Sequence, residues 1–148
     1  MKIKPAEGKA EFKRARPGFT LLEIIIVIII VGGLASLALP RFFKTVEYSR
    51  SVEALTNVAA IRQSVERCYL QRSSYENCGV FSDLDLEDPA NSPNNHFTYS
   101  FSGMGASTYT ITATRNTREG GNGSDTVILT NNGVMITRSG TGAFSGIQ

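Results

Sequence analysis

Residues 14–40 read Arg14-Ala-Arg-Pro-Gly18-Phe19-Thr20-Leu-Leu-Glu23-Ile-Ile-Ile-Val-Ile-Ile-Ile-Val-Gly32-Gly33-Leu-Ala-Ser-Leu-Ala-Leu-Pro40. Between Phe19 and Leu39 only Glu23 can carry a charge. At about 1.5 Å per residue the run covers roughly 30 Å, the thickness of a hydrocarbon core. Its isoleucines and valines disfavour a helix in water. Lipid leaves the backbone no partner except itself, so there the run is a helix. A secretory leader is cut after its apolar region, at a small-x-small site. Here Pro40-Arg41-Phe42-Phe43 follows the run, and the small residue with charges ahead of it is Gly18, on the other side.

Outward from this stretch, the charge is unevenly placed. The net charge of +2 divides into +4 on residues 1–18 and −2 on the remainder. A cationic segment before a span holds that end in the cytoplasm and sends the rest across. Arg41 and Lys44 oppose this only weakly. The exported part is mildly acidic, which argues against a general nucleic-acid binder, and no direct nucleic-acid partner is expected. About 108 residues beyond the span suffice for one small core.

Gly18-Phe19-Thr20-Leu21-Leu22-Glu23, followed by an apolar run and Pro40, resembles the processing and assembly segment of type IV pilins and type II secretion pseudopilins. The resemblance implies cleavage between Gly18 and Phe19 by a prepilin peptidase, methylation of the new Phe19 amine, and polymerisation into a helical filament. It places the precursor in a bacterial inner membrane as a single-pass protein, leader inside and head outside. There an assembly platform and other pilin copies would be its partners. The leader here is longer than in many pilins whose mature chain starts with Phe.

On this reading the chain divides into a cleaved leader (1–18), a membrane-spanning or filament-core helix half (19–39), an amphipathic helix half (40–72), and a loop with an antiparallel sheet (73–148). The fold class is α+β. Gly32, Gly33 and Pro40 weaken or bend the helix, through lost stability and a lost hydrogen bond. In pilins such a segment lets the helix loosen within the filament. The stripe Val52, Leu55, Val58, Val65, Cys68 or Tyr69, thickened by Ala59 and Ile61, gives the outer half a face for a sheet. From Phe19 to Arg72 the helix would reach about 80 Å.

Past a connecting loop the period changes from helical to alternating. Strands are expected at 96–101, 108–114, 126–130 and 134–138, in a four-stranded meander on that stripe. Asn132-Gly133 is a type I′ hairpin signal, and the Gly-rich tail 139–148 reads as loose.

Cys68 and Cys78 fall in the exported part, where an oxidising compartment favours a disulfide; two unpaired thiols is the other reading. Glu23 either pairs with the Phe19 amine of its own chain, four residues away on one helix face, or takes the amine of a neighbouring subunit and sets filament register. The family resemblance favours the second. His96, the only histidine, reads as a surface or sheet-edge residue without a nucleophile beside it. Asp83, Asp85, Glu87 and Asp88, or the Asn122–Asp125 loop, could hold calcium, but their spacing fits no EF-hand and a solvated loop is the simpler reading. No catalytic constellation is present, so no enzyme is expected. Two readings remain beside a pilus subunit: a type II secretion pseudopilin, and a membrane-anchored binding module kept as a monomer.

Overall fold

The structure is a computed structural model that describes residues 18–147. Of the expected leader, 1–18, residues 1–17 lie outside them. The chain divides into two compact units after Ala38, each described by itself below.

Helix α1 spans Leu21–Arg72. It begins two residues later than expected because Thr20 is its cap: the Thr20 hydroxyl accepts the Glu23 N–H at 3.2 Å. In the first unit no residue of the most apolar stretch of the helix is buried. The Ile and Leu side chains of this stretch are left unburied by the described residues.

In the second unit the remainder of α1 lies on a sheet. Ser51, Ala54, Val58, Ile61, Val65 and Cys68 are buried, at alternating steps of three and four. The expected Val58, Ile61, Val65 and Cys68 are thus in the stripe, and it departs from expectation at Ala59 and at its N-terminal end. Val52 is 63% exposed and Leu55 only half-buried. The small Ser51 and Ala54 face the sheet instead, allowing the two backbones to approach. The helix ends with Ser73 in the left-handed region (φ 56°), its N–H returned to the Tyr69 carbonyl at 2.7 Å.

The sheet holds β1 (Phe97–Ser102), β2 (Tyr109–Arg115), β3 (Thr126–Asn131) and β4 (Ile136–Gly140), antiparallel in the order β1-β2-β3-β4. The α+β meander expected from the alternation is therefore present. On the face toward the helix the register aligns Phe97–Arg115, Tyr99–Ala113–Val127 and Phe101–Ile111–Leu129. Large side chains face Ala113 from both neighbours, so the rows interdigitate.

Two expectations are corrected. The β3–β4 connection is not a two-residue type I′ turn. Asn131 pairs with Ile136, leaving four residues in the loop. Gly133 alone there takes a positive φ (84°), whereas type I′ needs one at Asn132 as well. The Asn132 side chain instead accepts the N–H groups of Val134 (3.0 Å) and Met135 (2.8 Å), closing a wider turn.

The tail is not loose. Residues Gly142–Phe144 form a 3-10 turn, and Phe144 and Ile147 join the core, Phe144 lying 5.6 Å from the Phe97 ring. Two apolar side chains among the glycines outweigh the flexibility of the backbone there.

Candidate assembly segment and head surface

Gly18 and Phe19 precede the helix, and Phe19 is 80% exposed. A side chain at Gly18 would meet nothing among the described residues. No packing or turn inside the chain therefore demands glycine at 18. Glu23 stands in the first helical turn, where a carboxylate favours the helix dipole. Among the described residues no cation lies within ion-pair distance of it.

Gly32 and Gly33 likewise face open space. The expected weak segment is not a break in this chain: α1 is continuous through Gly32, Gly33 and Pro40. Pro40 has no N–H, so the Ser36 carbonyl loses its helical donor. The Ser36 hydroxyl also bonds back to the Gly33 carbonyl at 2.8 Å. One missing hydrogen bond is tolerated because the turns on both sides hold.

In the head, Cys68 and Cys78 are joined by a disulfide that ties the end of α1 to the following loop. Beside it Glu66 accepts two tyrosine hydroxyls, Tyr75 at 2.9 Å and Tyr109 at 2.8 Å. Burial, and then the bond to Glu66, push the Tyr75 phenol up to about 12. Tyr109 is raised for the same two reasons. Both therefore remain neutral donors.

Of the carboxylates weighed for calcium, Asp83, Asp85, Asp88 and Asp125 have protein partners or a local structural task. Asp85 takes the Arg67 guanidinium at 2.5 and 2.8 Å and the Ser64 hydroxyl. These bonds, Arg67 first, hold its carboxyl at about 2. Asp83 faces Arg72, and Asp88 caps the Pro89–Asn91 turn. Asp125 accepts from Asn122 and from the Ala143 N–H. Among the described residues no three acidic, histidine or cysteine side chains converge as metal ligands would.

His96 is half-buried and directly precedes β1, an edge strand, so of the two expected placements the sheet edge is the one found. Its Nδ1 lies 2.7 Å from Glu53 and its Nε2 3.2 Å from Glu119. Glu119 also takes Arg50 at 2.6 Å, from a backbone with φ 49°.

Arg115 was missed. Its guanidinium is fully buried, bidentate to Glu47, and bonded to the carbonyls of His96, Asn116 and Arg118. A side chain at Gly121 would strike that guanidinium, which explains the glycine. The signal was available: Tyr109, Ile111, Ala113 and Arg115 share the inward phase of one strand.

A long helix with an uncovered apolar first half and a second half carrying a four-stranded meander defines the pilin class. The family model described as "Type IV minor pilin ComP, DNA uptake sequence receptor" matches residues 40–126. The chain belongs to this family of type IV pilins. It is also 31% identical to the type II secretion system core protein G of Aeromonas hydrophila, over 55% of this chain and 57% of that one. It is 35% identical to the type IV major pilin protein PilA of Myxococcus xanthus, over 45% and 30%. Against the type IV major fimbrial protein FimA of Dichelobacter nodosus the identity is 29%, over 46% and 42%. The match thus spans between about a third and rather more than half the length of these curated relatives.

Proposed function

We propose that this chain is a structural subunit, not an enzyme, of a type IV pilus or pilus-like filament. It is made as an inner-membrane precursor with its leader in the cytoplasm and its head outside. A prepilin peptidase cuts it after Gly18, and the same enzyme system methylates Phe19. An assembly platform then moves it from lipid into the filament. The observation that carries the reading is the apolar half of α1, which none of the described residues covers. Such a surface is suited first to lipid and then to copies of itself, where close packing replaces lipid contact. Glu23 pairs with the Phe19 amine of a neighbour, and Gly32 to Pro40 loosen on assembly.

Mass spectrometry of the mature chain tests this, with a chain starting at methylated Phe19 as the expected result. An intact leader on surface-exposed protein would remove it and favour the anchored monomer. Gly18→Ala should leave the precursor uncut while the head folds normally, because a side chain there would meet nothing among the described residues.

The secretion relatives support a pseudopilin as the alternative. The name of the matching family adds a second reading, reception of DNA, against the sequence expectation of no nucleic-acid partner. Supporting it, Arg62 and Arg138 line one groove of about 310 Å³ with Leu55, Val58, Leu129 and Ile136. Neither arginine makes an ion pair among the described residues. Fluorescence anisotropy with duplex DNA over a salt series tests it. Binding that weakens with salt and is lost in Arg62→Gln/Arg138→Gln supports reception; absence of binding at low salt removes it.

A further inference from the structure

The apolar run ends at Leu39, and Arg41-Phe42-Phe43-Lys44 follows on the same helix. Phe42 and Phe43 are 63% and 59% exposed, their rings edge to face at 6.0 Å. They line an open groove of about 350 Å³ with Val46, Glu47, Arg50, Glu119 and Gly120, and most of each ring is left uncovered by the described residues. Arg41 and Lys44 stand three residues apart, on one face. Neither makes an ion pair among the described residues.

The nearest acids in the head are occupied. Glu47 is held by Arg115 and Arg50, and Glu119 by Arg50 and His96. Both glutamates line the groove beside the phenylalanines, but each is paired within the head, whereas Arg41 and Lys44 make no ion pair among the described residues.

Distance fixes the level at which this charge sits. Arg41 and Lys44 lie about 3 and 8 Å beyond Leu39 along the helix. A headgroup layer is roughly 5–8 Å thick on each side of the hydrocarbon. The four residues thus fall in the zone where aromatic rings and basic side chains anchor a span.

We propose that Arg41, Phe42, Phe43 and Lys44 form a collar that binds the headgroup layer of an anionic phospholipid bilayer before the chain enters a filament. The phenylalanines seat at the base of the layer and the two cations take lipid phosphates. The proposal rests on the membrane reading of residues 19–39 and adds a lipid preference to it. It also accounts for two basic residues on the side of the membrane where topology disfavours them.

The full chain contains no tryptophan, so Phe43→Trp introduces a single indole at an exposed position. The chain is reconstituted into phosphatidylcholine vesicles carrying either brominated phosphatidylcholine or, at equal fraction, brominated phosphatidylglycerol. Each cation near an anionic surface enriches it about fivefold. Quenching by the brominated phosphatidylglycerol should therefore clearly exceed that by the brominated phosphatidylcholine. The excess should vanish in Arg41→Gln/Lys44→Gln, with phosphatidylcholine quenching retained.

Equal quenching by both lipids in the parent, or an excess that survives loss of both cations, overturns the collar. So does an indole that is quenched only when protein is diluted in lipid, since the occupant is then a second copy of the chain. In all these cases the chain still floats with the vesicles and the membrane reading stands. A chain that fails to float overturns both.

Discussion

The Arg115 guanidinium and the Glu47 carboxylate meet through two hydrogen bonds, Nε to Oε2 at 2.9 Å and Nη2 to Oε1 at 3.2 Å. The arginine comes from the end of β2 and the glutamate from α1, 68 residues apart in the chain. The pair fastens the sheet to the helix at the end opposite the disulfide. Arginine is fully buried there, so its remaining donors are met by backbone carbonyls. This is what makes a buried guanidinium tolerable.

Removing one partner leaves the other buried and uncompensated. Glu47→Ala should destabilise the head by about 3 kcal/mol, measured by urea unfolding of the detergent-solubilised chain. Glu47→Gln/Arg115→Met should recover much of that loss, because no isolated charge remains. A double variant as unstable as Glu47→Ala would show that shape, not charge, carries the contact.

The Cys68–Cys78 bridge closes a loop with a sequence separation of 10. Cys68→Ser/Cys78→Ser should cost about 3 kcal/mol by the loop-entropy estimate. Reduction of the parent should lower the unfolding midpoint to that of the double variant. The Glu66–Tyr75 bond is expected to loosen first, because Tyr75 lies inside the loop that the bridge closes.

Acid should weaken the head through Asp85 and Glu47. The Arg67 and Ser64 bonds depress Asp85 to about 2 in the folded chain, against an unfolded value of about 3.9. A lowered folded-state value means that the contribution is complete above the unfolded value and is lost as pH falls toward 2. Glu47, lowered chiefly by its bond to Arg115, has the same sign. Melting midpoints between about pH 5 and pH 2 should fall in the parent and fall less steeply in Asp85→Asn.

Glu23→Ala should leave cleavage at Gly18 intact and suppress filament yield, scored by electron microscopy and by the mature mass. The side chain makes no ion pair among the described residues, so its loss should not disturb the fold of the head. Normal filament yield would remove the neighbour-pairing role. A precursor left uncut would relocate the role of Glu23 to peptidase recognition.

Much of this was legible in the chain because its signals are local. An uninterrupted apolar run, a helical stripe and period-two strands each declare themselves within a dozen residues. The stripe is legible from Val58 to Cys68, but at its N-terminal end the small Ser51 and Ala54 are buried where size points to Val52 and Leu55. The β3–β4 turn was misread because Asn132 can accept two N–H groups from its own loop, an alternative to the left-handed backbone that Asn-Gly also permits. The Glu47–Arg115 pair and the burial of Phe144 depend on residues distant in sequence, and only tertiary packing brings them together. The processing and assembly residues are a different case. Gly18, Phe19 and Glu23 touch little among the described residues, and the roles proposed for them are contacts with other molecules.

The tyrosine cluster around Glu66 gives the head a built-in optical gauge. Tyr69 and Tyr75 are stacked at 4.4 Å and Tyr75 meets Tyr109 edge-on at 4.7 Å, in a chain without indole absorbance to mask them. Near-ultraviolet dichroism will therefore read the docking of the loop and β2 onto α1 without any label. The signal should persist into alkaline solution, since burial and Glu66 hold Tyr75 un-ionised up to about 12.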